Sequence, residues 1–182
     1  MKTILIITIV LIVICLIFLV LPCIARKTTE PPFKTVKHVD IERYMGVWYE
    51  IARFPHRFER DLVGVTAIYK LQANGRISVL NQGYKYTLDG KHKKAKGRAR
   101  IPNPDFPGYL QVSFFLCFWA DYLILELDKD YQYVLVGSSS SNYLWILART
   151  PEMQNDVYDT LVHKAAELGY DVRKLEKVVQ RN

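Results

Sequence analysis

Cysteine is scarce, with three in 182 residues, which excludes a disulfide-rich miniprotein. Only four histidines occur (His38, His56, His92 and His163), and they are scattered. There is no Gly-x-Ser-x-Gly, no His-Glu-x-x-His, no Cys-x-x-Cys and no glycine-rich phosphate loop. The common hydrolase, zinc-protease, thiol-redox and nucleotide signatures are therefore missing. We accordingly expect no enzyme activity, no cofactor and no metal. Nine glycines and eight prolines are too few for a collagen-like or disordered chain. Acidic residues are outnumbered by basic ones, 18 against 25, giving a net charge of +7.

What is plentiful is apolar residues, half of the total, and they are unevenly spread. Residues 1–25 hold 21 of them and one charge, Lys2. Between Ile4 and Leu21 only Thr8 is polar, a length that as a helix reaches about 27 Å, close to a bilayer core. Three readings stand: a secretory signal cleaved near Ala25, an uncleaved anchor flanked by Arg26 and Lys27, or a lipoprotein acylated at Cys23. Each places the remainder outside the cytoplasm unless the anchor is inverted. Residues 26–35 read as a tether, and residues 36–182 as one domain. Within that domain Cys117 is the only cysteine. The expectation is that it makes no intramolecular bridge and, among Phe115, Leu116, Phe118 and Trp119, is inert.

From residue 46 eight short segments rich in Tyr, Phe, Val and Ile alternate with turn residues. They are Gly46–Phe54, Val63–Leu71, Arg76–Tyr84, Lys94–Ile101, Tyr109–Phe115, Tyr122–Leu127, Gln132–Gly137 and Tyr143–Arg149. Asn74-Gly75 and Asp89-Gly90 are hairpin signals. No helical pattern interrupts the series, so consecutive antiparallel pairing follows, and eight such strands can close into a barrel around one small ligand. In the fourth segment Lys94, Lys96, Arg98 and Arg100 share one parity, while Ala95, Gly97, Ala99 and Ile101 share the other. Period two puts charge outside and small residues inside, leaving volume for a cavity. Residues 91–100 carry six Lys/Arg with no aromatic among them for base stacking. A solvated face, or attraction to anionic lipid, suits them better than nucleic acid.

After Arg149 the pattern becomes helical. Thr150 is placed as the N-cap and Pro151 at the first helical position. Val157, Leu161, Ala165 and Leu168 form one apolar stripe, and Gly169 ends a helix of about seventeen residues laid on the barrel wall.

Gly46-Val47-Trp48-Tyr49-Glu50 resembles the Gly-x-Trp-Tyr signature that opens the first strand of lipocalins. Ser141-Asn142-Tyr143 resembles their second motif, and Arg149 their third. The chain is most similar to the bacterial outer-membrane lipoprotein lipocalins, with apolipoprotein D and plant temperature-induced lipocalins nearby. The resemblance implies an all-β fold: an eight-stranded antiparallel up-and-down barrel with a C-terminal helix packed outside. It also implies that Gly46, Trp48, Tyr143 and Arg149 are structural, with the Arg149 guanidinium over the Trp48 indole. Lipid anchoring through Cys23 follows from the same likeness.

Matching strands to the lipocalin pattern turns a largely apolar set inward. As cavity and mouth residues we take Ala52, Phe54, Arg57, Phe58, Tyr69, Val79, Asn81, Val112, Phe114, Leu123, Leu125, Val136, Tyr143 and Trp145. Glu50 falls inward too and needs a partner, for which Arg149 and Arg98 are the candidates. The expected function is storage or transport of lysophospholipids or fatty acids for membrane maintenance. A lipocalin-scaffold enzyme and an anionic-surface module are the alternatives. Expected partners are a lipid or other small hydrophobic ligand and a membrane, with no nucleic acid and a possible homodimer. The expected location is the cell envelope or outer membrane in a bacterium, otherwise secreted or membrane-attached.

Overall fold

The computed structural model describes Pro31 and residues 34–181. The apolar stretch 1–25, Cys23 and most of the tether lie outside the described residues. Nine strands follow a short helix α1 (Ile41–Tyr44): β1 (Gly46–Arg53), β2 (Leu62–Leu71), β3 (Ile77–Lys85), β4 (His92–Arg100), β5 (Tyr109–Phe115), β6 (Phe118–Leu127), β7 (Tyr133–Gly137), β8 (Leu144–Ala148) and the short β9 (Glu176–Lys177). Helix α2 (Asn155–Glu167) precedes β9. Strands β1 to β8 pair antiparallel in sequence order, and β1 pairs with both β8 and β2, so the sheet closes into a barrel. Closure removes the exposed edges that an open sheet presents.

The barrel has two different ends. Connections 72–76, 101–108 and 128–132 lie at the end where α1 packs. Connections 54–61, 86–91, 116–117 and 138–143 lie at the other. The apolar residues form two layers. One fills the barrel interior at the α1 end and includes Tyr44, Trp48, Tyr69, Leu110 and Ile124. The other joins the outer wall to α2 through Leu161, Ala165 and Tyr170.

Helix α2 is shorter than expected. It starts at Asn155 rather than at Pro151, with Gln154 as its N-cap. Thr150 Oγ1 donates to the Glu152 carbonyl at 2.7 Å, which holds 150–152 as a turn instead of capping a helix. Its C-terminus follows the sequence signal closely. Gly169 takes φ +86° just past the C-cap Leu168. Its N–H bonds the Ala166 carbonyl, and the Tyr170 N–H bonds that of Ala165. This is the paired Schellman arrangement, for which glycine has no Cβ penalty.

A bulge and a strand register decide which residues face inside. A bulge in β1 between Glu50 and Ala52 reverses the alternation. Ala52 and Phe54, expected inside, therefore pack in the layer beneath α2, where Phe54 meets Tyr170 edge-on at 6.2 Å. On β6, Leu110 of β5 pairs with Tyr122, and directly paired residues share a face. Tyr122 and Ile124 thus point inward, while Leu123 and Leu125 turn out toward α2. Cys117 is also corrected: it is disulfide-bonded, with a partner outside the described residues.

Candidate functional site

The α1 end is sealed by mutually satisfied groups. Gly46 opens β1 at φ +99°, and a Cβ there would stand 3.2 Å from the Arg149 guanidinium. That guanidinium lies 3.8 Å over the Trp48 ring, a contact worth about 0.5–2 kcal/mol. It also donates to the carbonyls of Tyr131 (3.1 Å), Val47 (2.9 Å), Arg43 (2.7 Å) and Tyr44 (3.2 Å). One side chain therefore ties α1, β1 and the 128–132 connection together. The Trp48 indole N–H donates to the Tyr44 carbonyl at 2.9 Å.

Above Trp48 lies a triad of buried tyrosines, of which the sequence reading placed only Tyr69 inside. Tyr44 and Tyr122 share a hydrogen bond of 2.6 Å, and Tyr69 donates to Tyr122 at 3.1 Å. Burial pushes all three phenols well above their ordinary range, so they stay neutral. Each tyrosine lies on a different element, and only closure of the barrel brings them together.

Toward the other end the inner face opens step by step. On β4 Ala99 is buried, Gly97 half-buried and Ala95 exposed. On β5 Leu110 is buried, Val112 half-buried and Phe114 exposed. On β3 Ile77 and Val79 are buried and Asn81 is half-buried. On β2 Tyr69 is buried and Ala67 half-buried. Cross-strand pairing keeps these residues on one face: Ile77 with Ala99, Val79 with Gly97, Asn81 with Ala95, and Ala99 with Val112. Residues that face inward yet reach solvent line a cup. Its floor is Trp48, the tyrosines and the buried Val79, and its wall includes Asn81, Val112 and Phe114. Val136 and the half-buried Trp145 belong to the same interior layer. The small β4 residues leave room that Phe114 partly takes, its ring resting against Gly97.

A buried ionic cluster lies where β1 meets the 54–61 connection. Arg53, not Arg149 or Arg98, is the partner of Glu50, at 2.5 Å. The β1 bulge turns Arg53 to the side of Glu50, which strict alternation forbids. Arg53 also donates to the carbonyls of Glu59 (2.9 Å) and Leu62 (3.0 Å), closing the connection on itself. Burial raises the Glu50 carboxyl well above its usual range, with Glu59 adding to the rise and Arg53 opposing it. Burial acts the same way on Glu59, but His56, Trp145 and Arg53 outweigh it and hold that carboxyl low. The Trp145 indole donates to Glu59 at 3.2 Å. His56 Nε2 lies 2.8 Å from the same carboxylate, off the hydrogen-bonding angle.

The rim residues fall around this cluster. A cleft of about 520 Å³ is lined by Arg53, His56, Arg57, Arg60, Asp61 and Glu176. A second of about 330 Å³ includes Phe54, His56, Tyr143 and Lys174. Arg57 stacks on the exposed Phe58 at 4.7 Å. Of the expected site residues, the structure thus gathers Tyr69, Val79, Asn81, Val112, Phe114, Val136 and Trp145 at the cup. It gathers Arg57, Phe58 and Tyr143 at the rim. Ala52, Phe54, Leu123 and Leu125 stand apart from the cup, behind the wall.

A closed eight-stranded barrel, sealed at one end by a tryptophan–arginine stack and carrying an outer helix, defines a lipocalin. Residues 39–180 match the lipocalin-like domain, and the chain belongs to that family, whose members bind small hydrophobic ligands. Among relatives, the outer membrane lipoprotein Blc of Vibrio cholerae is 41% identical over 149 residues, covering 81% of this chain and 86% of that protein. Temperature-induced lipocalin-1 of Arabidopsis thaliana is 40% identical, covering 84% and 86%. Mouse apolipoprotein D is 33% identical, covering 86% and 84%. The solved structure of insecticyanin from the tobacco hornworm shares the fold, with a TM-score of 0.67 at 20% identity over 84% of this chain and 86% of that one.

Proposed function

We propose that this chain is a non-enzymatic lipid binder that holds the acyl part of a fatty acid or lysophospholipid in the cup, for storage or transport in membrane maintenance. The observation that carries this reading is the graded exposure of the inner face on β2 to β5. It supplies an apolar wall with a few polar atoms, the usual make-up of a ligand pocket. Asn81 adds a buried amide oxygen with no hydrogen-bond partner, an acceptor for a ligand hydroxyl. Arg57, Arg60 and His56 at the rim suit a charged head group. None of the relatives named above carries an enzyme's name.

For location, we propose the cell envelope, with residues 1–25 serving as an uncleaved anchor, the reading in which a cysteine of that stretch is left to pair with Cys117. Support comes from the Blc relatives, named as outer membrane lipoproteins. The intact mass of the membrane-extracted protein tests cleavage and acylation together.

The test of function is displacement of an environment-sensitive lipid probe by lysophospholipid. Lack of displacement at micromolar ligand overturns the reading. Replacing Arg57 and Arg60 by Gln is expected to weaken charged-head ligands a few-fold, the size of exposed ion pairs at about 0.2–1 kcal/mol each. Uncharged ligands should be unaffected; equal losses for both classes remove the head-group role.

A further inference from the structure

The exposed aromatic and leucine side chains are concentrated at the open end. Phe115 is 68% exposed, Leu116 64% and Phe118 51%, and together with Phe114 they form the tip of the β5–β6 hairpin. Phe58 of the 54–61 connection is 67% exposed and Tyr86 of the 86–91 connection 72%. A soluble surface rarely keeps contiguous apolar side chains without a partner. The turn itself runs against local preference. Leu116 takes φ +46° in a two-residue hairpin, a position normally given to Asn or Gly.

The basic strand stands beside this tip. Residues 91–100 carry six Lys/Arg and no acid. Arg98 pairs with Ser113 and Gly97 lies beside Phe114, so the first residues of β4, among them Lys93 and Lys94, run past the tip toward the same end. Arg98 donates to the Leu116 carbonyl, and Arg98 and Arg100 stack over Trp119 at 5.2 and 4.1 Å. Tip and strand are thereby one rigid surface. Lysines on a free strand edge guard against aggregation, but that role leaves the neighbouring exposed aromatics unexplained.

We propose that this surface docks the barrel, mouth first, onto an anionic lipid bilayer. The tip residues enter the interface while Lys93, Lys94 and Lys96 meet the head groups. Exposed aromatics combined with a dense positive field match a negatively charged bilayer, because each basic side chain near such a surface adds about 1 kcal/mol of attraction, roughly a fivefold factor. Docking in this orientation turns the cup toward the lipid. It stands independently of which ligand the cup holds.

The test uses the membrane-extracted full chain, reconstituted into vesicles of phosphatidylcholine with and without phosphatidylglycerol. The lipids carry bromine near the head-group end of the acyl chain, and tryptophan quenching is read. Stronger quenching in the anionic vesicles, lost in Trp119→Phe, is the expected result. Replacing Lys93, Lys94 and Lys96 by Gln should lower the docked-to-undocked ratio about fivefold per charge, returning quenching to the neutral-vesicle level. Phe115→Ser with Leu116→Ser should do the same. Because the lysines, Phe115 and Leu116 are exposed and the half-buried Trp119 packs under Arg98 and Arg100 rather than in the cup, all variants should keep lipid-probe binding there, which separates this test from that of the cup's function. Quenching equal in both vesicles, or unchanged in both sets of variants, overturns the proposal. A tip that resists quenching because a second copy or the chain's own apolar stretch covers it also overturns it.

Discussion

The two ends of this barrel solve opposite problems with similar residues. At the α1 end aromatic and cationic groups are spent on one another: Arg149 on Trp48 and four carbonyls, and three tyrosines on themselves. At the mouth the same residue types are left facing outward or into open space, as with Phe58, Tyr86, Phe115 and the lysines of β4. The difference teaches that residue type alone does not assign a role here. What matters is whether the neighbouring elements bring a partner, as they do for Arg149 over Trp48 and, at the other end, for Arg53 beside Glu50.

The largest expected effect breaks the sealed end. Trp48→Ala removes a fully buried ring, the stacking surface of Arg149 and the donor to the Tyr44 carbonyl. A loss of about 3–5 kcal/mol is expected for such a truncation, read as a shift in urea midpoint. Loss below 1 kcal/mol would show that the plug is not the stabilising end.

An intermediate effect lies at the boundary between the ends, in Glu50 and Glu59. Glu50 has its carboxyl raised, so the folded state holds that proton longer than the unfolded one. Stability should fall as pH rises from 4.5 toward the raised value, and Glu50→Gln should remove that fall. Glu59 has its carboxyl lowered, so its contribution is present above 4.5 and lost as pH drops through the lowered value. Glu59→Gln should flatten this acid limb. Either slope is at most about 1.4 kcal/mol per pH unit for one proton, measurable by denaturation across pH.

The smallest effect on stability, and the sharpest on binding, is expected at the mouth. Ala95→Trp places a ring at an exposed inner position of β4. Stability should change by no more than about 0.5 kcal/mol, while probe binding is largely lost. Unaltered probe binding would mean that the ligand sits elsewhere.

Most strands were legible in the sequence because turn residues bracket them; the Leu116-Cys117 turn carries none, and β6 starts at Phe118 rather than at the expected Tyr122. The sequence of β4 also displayed its two faces, since small and charged residues alternate cleanly there. On β6 both parities are apolar, because that strand is covered on the inside by the plug and on the outside by α2. No alternation survives to tell Tyr122 and Ile124 from Leu123 and Leu125. The β1 bulge left no mark either, so Glu50 was assigned distant arginines when its partner lay three residues away. Thr150-Pro151 gave a valid local start signal that a side-chain bond to Glu152 overrode. The tyrosine triad was invisible because its members are 25 and 53 residues apart along the chain, separations that no local pattern encodes.

Residues 178–180 are structural members of the wall. Val178 N–H bonds the Ile51 carbonyl, Gly64 N–H bonds that of Val179, and the Gln180 amide bridges the carbonyls of Glu50 and Val65. They fill the seam where β1 and β2 part above Tyr49. Gln180 and Glu50 are 130 residues apart. Loop closure of that span is slow, and contacts this distant delay folding. The seam is therefore expected to zip last, after β1 to β8 have paired, which makes closing the wall a late step of folding.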